Sequence, residues 1–392
     1  MTELKVDNIT NLAGSGKPNL PVAPTVGSNA AISTLNTHSY TSSGTEPSSP
    51  KNGALWWDST NDKVFVYINS EFKEIELNAS SSSSIAWGGD RGILAGGDGP
   101  INTIQYWDIT TQANGSDFGD LVGGNENGSG TSNGTRGVVW RGTTGAGSGF
   151  PSNYSNSIDY FATATTGNAS DFGDSTCTDY NTSCLSDGTY GVRGGGRGDV
   201  GSGTTFQYLN VIDYITIANT GNATDFGNLS STKHSCATSN DATRGVFIGG
   251  YDGSNFLNVI EYITIGTPGN ATDFGDDLTS NYLATKGVIA DGTYGVWHNG
   301  YTGSAYYSNV IAYITIQTTG NATDFGDYST TVRQTAGASN STKGHIAGGR
   351  TTATSGVNNI EEITIATPGN STDFADLNAG TYQTCGLSGA PS

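Results

Sequence analysis

The side chains with chemical potential in this sequence are chiefly carboxylates, and they recur in one setting. Asp-Phe-Gly occupies residues 117–119, 171–173, 225–227, 273–275 and 324–326, with Asp-Phe-Ala at 373–375. Acids on both sides of a Phe, such as Asp273 and Asp276, are the oxygen ligands that calcium takes. A calcium loop gathers several carboxylates within about a dozen residues, whereas only two or three come close together in each copy here. The stronger reading has these aspartates bonding backbone amides at turns. Asp-Phe-Gly is also a kinase tripeptide, but the other kinase signatures are missing. His38, His234, His298 and His345 stand alone, with no HxH or HExxH spacing for a transition metal. Cys177, Cys184, Cys236 and Cys385 form no CxxC pair and read as buried small apolar groups, a Cys177–Cys184 disulfide being the alternative. Arg91, Arg136 and Arg244 each precede a Gly at one repeated place, which favours a structural role over a carboxylate-binding cluster. No acid/base constellation emerges, so the chain is read as a non-enzyme with no cofactor and no metal site.

Composition narrows the class further. The formal net charge of −19 disfavours nucleic-acid binding, because phosphate contacts need a basic face. No apolar run approaches the roughly 20 residues of a membrane span. The opening Met1-Thr2-Glu3-Leu4-Lys5 lacks a signal-peptide core. The Asn-x-Ser/Thr matches at Asn114, Asn168, Asn222, Asn270, Asn321 and Asn370 are therefore read as turn formers, not glycan acceptors.

What positions these residues is a repeat. Phe118, Phe172, Phe226, Phe274, Phe325 and Phe374 are spaced by 54, 54, 48, 51 and 49 residues. A period near 50 marks an array of supersecondary units. Each unit reads as four strands. The first is rich in small residues, such as Ser235-Cys236-Ala237-Thr238. The second is apolar and ends in glycines, as in Gly245-Val246-Phe247-Ile248-Gly249-Gly250. The third follows Asn-x-Ile, as in Asn258-Val259-Ile260-Glu261-Tyr262, and the fourth carries Asp-Phe-Gly. Gly-Asn between strands three and four is hairpin-turn chemistry. The expected fold class is all-β.

This order of strands resembles the kelch motif over about residues 85–377, with Phe where many kelch repeats carry Trp. The resemblance implies a kelch-like β-propeller, in which thin sheets bury their faces by stacking around an axis. The domain expectation is an extended N-terminal arm at 1–50, a three-stranded meander at 51–79, and the propeller of six repeats at 80–392. Residues 378–390 repeat the first-strand pattern once more, with Thr384-Cys385-Gly386-Leu387. The meander offers three strands lacking a first, so the two are expected to join as a seventh blade. Six blades, with a separate meander, is the alternative.

The connections from strand two to strand three vary while the strands repeat, and all must emerge on one face. They are rich in Gly, Ser, Asn, Tyr and Phe, a palette suited to binding. Tyr154, Arg197, Tyr208, Tyr251, Phe256, Tyr301, Tyr306 and Tyr307 are the expected contact residues. The N-terminal Leu4 to Ile9 and Leu12 to Asn19 segments, and the Gly53-Ala54-Leu55-Trp56-Trp57-Asp58 meander, resemble virion structural and tail-fibre proteins of marine phages, cyanophages in particular. That resemblance implies a virion location, with Leu4, Val6, Ile9, Leu12, Pro18, Leu20 and Pro21 anchoring the arm to other virion proteins. It further implies a homo-oligomer whose loops face a host-surface glycan or protein. A purely structural tail, nozzle or capsid-decoration role and a polysaccharide-acting enzyme are the alternatives.

Overall fold

The computed structural model describes residues 25–26, 30–31, 40–50, 54–58, 60, 63–68, 70–75, 85–145, 153–200, 206–282, 286–302, 307–352 and 356–389. Every regular element among them is a strand. The chain divides into two compact units, residues 1–81 and 82–392.

In the first unit Leu55–Asp58, Lys63–Ile68 and Glu71–Ile75 form the expected antiparallel meander. Its free edge is already taken. Tyr40–Ser43, inside the stretch expected to be an extended arm, pairs in parallel with Leu55–Asp58 and completes a four-stranded sheet. The indole of Trp56 fixes this edge by donating to the Ser43 carbonyl at 3.0 Å, while its ring stacks on Phe65. Thr25–Val26 and Ala30–Ala31 pair antiparallel as a two-stranded sheet. The anchor residues Leu4, Val6, Ile9, Leu12, Pro18, Leu20 and Pro21 lie outside the described residues.

Among the described residues the second unit contains six antiparallel sheets, designated A to F in chain order. Sheet D shows the pattern: Ala237–Asn240, Arg244–Ile248, Leu257–Thr264 and Thr272–Tyr282 pair in sequence. Sheets B, C, E and F begin at Ser129, Ser183, Ile289 and Ala336 and follow the same order. Sheet A differs. Among the described residues its own repeat supplies Arg91–Ala95, Thr103–Asp108 and Ser116–Asp120, and its first strand is the C-terminal Cys385–Gly389. The surplus C-terminal strand exists as expected, but it does not join the meander. The reason is local. Among the described residues no strand precedes Arg91 in its own repeat, which leaves that edge to the C-terminal strand, whereas Tyr40–Ser43 has filled the meander's edge.

Alternation explains the packing. On the third strands, Ile104, Ile158, Ile212, Ile260, Ile311 and Ile360 are fully buried, and each Asp-Phe-Gly phenylalanine is buried as well. The first strands of the six sheets touch one another in a closed circuit: B with C, C with D, D with E, E with F, and both F and B with Cys385–Gly389 of sheet A. Just before their first strands, Asn127, Asn181, Ser235, Gln334 and Gln383 adopt positive φ. Backbone bonds hold several of these turns in place, from Asn127 N to Gln383 O, Asn181 N to Asn127 O and Ser235 N to Asn181 O, at 2.7–2.8 Å.

Neighbouring sheets are fastened by the repeated motif itself. Each turn asparagine reaches into the preceding sheet and accepts the amide two residues past its Phe. The six bonds run from Asp120 to Asn168, Asp174 to Asn222, Asn228 to Asn270, Asp276 to Asn321, Asp327 to Asn370 and Asp376 to Asn114, at 3.0–3.2 Å. The last joins sheet F to sheet A. Asp273 and Asp276 are exposed on the outer strand. Asp187, Asp241 and Asp291 do accept amides at the turns after the first strands.

Candidate functional site

The connections from strand two to strand three are built on backbone ladders. The fourth strand of sheet B runs on to Tyr180, and its last three residues pair with Arg197–Asp199 from the connection in sheet C. Arg197–Gly198 pairs in turn with Gln207–Tyr208. Sheet D repeats the arrangement with His234, Tyr251 and Phe256, and sheet B with Glu126, Thr143 and Tyr154. In sheet F the set is Arg333, Arg350 and Gly356. Tyr301 pairs with Tyr282 at the end of the long sheet D strand. Three chain positions per ladder, brought together by the same register, thus set the side chains of this face.

Those side chains form a continuous arc. Ring centroids lie 5.0 Å apart for Tyr154 and Tyr180, 5.3 Å for Tyr208 and His234, 5.2 Å for Tyr251 and Phe256, and 5.0 Å for Phe256 and Tyr301. Arg197 bridges the first part, its guanidinium 4.5 Å from the Phe206 ring and 5.0 Å from Tyr208. Arg333 lies 5.1 Å from the Tyr307 ring, and Arg350 lies 5.0 Å from Tyr382. Most of these rings are half-buried. An open cleft of about 600 Å³ is lined by Tyr301, Tyr307, Thr331, Arg333 and Thr352.

Positive charge on the arc comes from arginine, while Glu126 on the sheet B ladder and Asp98 beside Tyr382 bring carboxylates near it. Burial, helped by the nearby Lys286 and Arg197 charges, pushes the His234 imidazole down to about 3, so it is neutral at ordinary pH. Lys286 is turned inward. Its ammonium donates to the carbonyls of Asn127 and Gly128 at 3.0 and 3.2 Å and to Asn181 Oδ1 at 3.2 Å, and burial holds it down to about 8. The four cysteines are free and buried, and burial raises each thiol. Among the described residues, no three of His, Cys, Asp and Glu converge as metal donors.

Of the expected contact residues, Tyr154, Arg197, Tyr208, Tyr251, Phe256, Tyr301 and Tyr307 lie along the arc. Tyr306 falls outside the described residues. Sequence reasoning missed Tyr180, His234, Arg333 and Tyr382. Each of these four stands at one shared place, three residues before a first strand, and is followed by Asn181, Ser235, Gln334 or Gln383, whose positive φ only the structure shows. Arg91, Arg136 and Arg244 have the structural role read from their repetition. Each donates to a carbonyl of the next sheet while stacking on its own sheet's Tyr106, Tyr160 or Tyr262. No known family model matches the chain, and no curated protein matches it.

Proposed function

We propose that the six sheets form a six-bladed, kelch-like β-propeller, and that the chain is a structural protein of a phage particle. In this reading it is tail-associated or fibre-like, is anchored through its N-terminal segment, and recognises a host-surface glycan with its loop face. The closed circuit of first strands supports the ring. The single observation that carries the recognition role is the unbroken arc of half-buried rings held on backbone ladders. Rings pre-positioned in this way lose little freedom on binding, and aromatic residues dominate the energetics of most recognition surfaces. Sugar rings present apolar faces that stack on such platforms. The virion placement rests on the resemblance of the N-terminal segments and the meander.

The test is binding of the purified chain to intact host cells, compared with Tyr251→Ala and Tyr301→Ala. Each substitution is expected to weaken binding roughly tenfold or more, since central aromatic anchors cost about 2 kcal/mol when truncated. A chain that does not bind cells, and whose loop face is covered by neighbouring subunits in a density map of the particle, would transfer the arc to an assembly role.

A further inference from the structure

The protein has 35 acidic residues against 16 Lys and Arg. With carboxylates in such excess, an arginine has abundant partners. Arg141 and Arg193 take them: Arg141 pairs with Asp159 at 3.2 Å, and Arg193 pairs with Asp179 and lies 3.7 Å from Asp213. Arg91, Arg136 and Arg244 are committed to backbone carbonyls. The remaining three are Arg197, Arg333 and Arg350. Among the described residues none of them forms an ion pair with a carboxylate, and all three lie on the loop face against aromatic rings. Arg197 makes one long contact, 3.5 Å to the Tyr180 hydroxyl. Arg333 stacks beside Tyr307 and Tyr301 in the wall of the open cleft, whose lining also includes the hydroxyl-bearing Thr331 and Thr352.

Resting on the recognition role argued above, we infer that the ligand is an acidic glycan, its carboxylate or sulfate held by Arg333 in the cleft beside Tyr301 and Tyr307. A guanidinium stacked on a ring keeps its in-plane N–H groups free to grip a planar or tetrahedral anion in a fork. The rings take the apolar face of the sugar, and the threonine hydroxyls suit its hydroxyl groups. Arg197, further along the arc, supplies a second positive point for a repeating polymer. The long-range field opposes an acidic ligand. A chain of net charge −19 repels polyanions at a distance, so an acidic ligand is retained only where arginines meet its charges directly.

The experiment measures binding of the full chain to host cells and to three oligosaccharides of equal length: a uronate, a sulfated chain and a neutral one. Calorimetry is expected to show binding of one or both acidic probes, weakening with added salt. Arg333→Gln is expected to lose about tenfold of that affinity, the scale of one charge-assisted hydrogen-bonded pair. Arg333→Lys, which keeps the charge but not the fork, is expected to fall between. The uronate and sulfate arms identify the acid group. Cell binding that is insensitive to salt and unchanged in Arg333→Gln would overturn the acidic ligand while leaving glycan recognition standing. Absence of cell binding by the unmodified chain would remove recognition itself.

Discussion

Gly275 faces the backbone of the next sheet. A Cβ built on it would lie far inside contact distance of the Gly320 carbonyl oxygen, and its φ of +153° suits few L residues. The same clash faces Gly119, Gly173, Gly227 and Gly326 against Gly167, Gly221, Gly269 and Gly369. The glycine of Asp-Phe-Gly therefore permits the close approach of two sheets. The neighbouring Phe274 fills the space beneath, and Asn321 ties the strand across the gap. Gly275→Ala is expected to destabilise the fold by about 2–4 kcal/mol, from backbone strain and overpacking together. Gly269→Ala is the control, because nothing lies within 4 Å of its Cβ position; it should stay within about 1 kcal/mol of the parent. Urea unfolding of the two variants separates these outcomes, and equal effects would remove the close-approach argument. The burial of the phenylalanines was legible in the sequence, because apolar spacing reports it directly. The role of glycine and asparagine was not, since their partners stand a full repeat away and local turn chemistry explains the same residues.

Between elements, the recurring fastener is a buried acid on the third strand. Asp159, Asp213, Glu261 and Glu361 accept the backbone amides of Val122, Thr176, Ser230 and Ser329 from the preceding sheet. In sheet A an uncharged Gln105 does the same for Asn378 at 3.1 Å. In sheet E the position is Ala312, and there Trp297 donates its indole N–H to Asn299 Oδ1 at 2.7 Å, with Asp277 of the preceding sheet as a longer second acceptor at 3.3 Å. Glu261 also pairs with Lys233, both fully buried. Lys233→Met is expected to cost about 3–5 kcal/mol, because it strands a buried carboxylate. Adding Glu261→Gln should recover most of that loss, since Gln105 demonstrates that a neutral amide can serve the latch. Chemical unfolding of the single and double variants measures the coupling; a double variant no more stable than Lys233→Met would refute it. The acid itself was visible in the Asn-x-Ile-Asp/Glu-Tyr pattern as a polar residue within an apolar strand. What it grips was hidden, because the latch joins strands that are neither adjacent in the chain nor paired in one sheet. The arc has the same explanation: its second row of side chains comes from the residues just before each first strand, which no strand-two-to-three connection contains.

At the scale of the whole second unit, the question is how a linear repeat ends. Residues 378–390 repeat the first-strand pattern once more, so the spare strand was readable. Its partner was not, since the meander offers an incomplete edge in the sequence, whereas the edge of Arg91–Ala95 that takes the strand shows only in the structure. The structure matches Cys385–Gly389 to Arg91–Ala95 over five residues and sets Cys385 and Leu387 among Ile93, Val139 and Phe161. The same strand touches the first strands of sheets B and F, so it completes a sheet and the circuit together. Lys286 works across the middle, carrying sheet E's ammonium to carbonyls beside the first strands of sheets B and C. Such a circuit distributes stability so that no single interface can open cheaply, whereas an open array frays from its ends. Removing residues 380–392 deletes a strand of sheet A, exposes the buried edges of two neighbours and leaves Asn127 without the Gln383 carbonyl that holds its turn. The expected loss is at least about 5 kcal/mol, from two buried apolar side chains and the hydrogen bonds of one strand. Thermal unfolding followed by circular dichroism should show a large fall in midpoint and a broadened transition, as sheets A, B and F melt ahead of C to E. Supplying the strand as a separate peptide should restore the midpoint in proportion to its concentration, as mass action requires of any ligand bound only by the folded chain. A truncated chain that melts like the parent would mean that the circuit is held closed by the side-chain bridges alone.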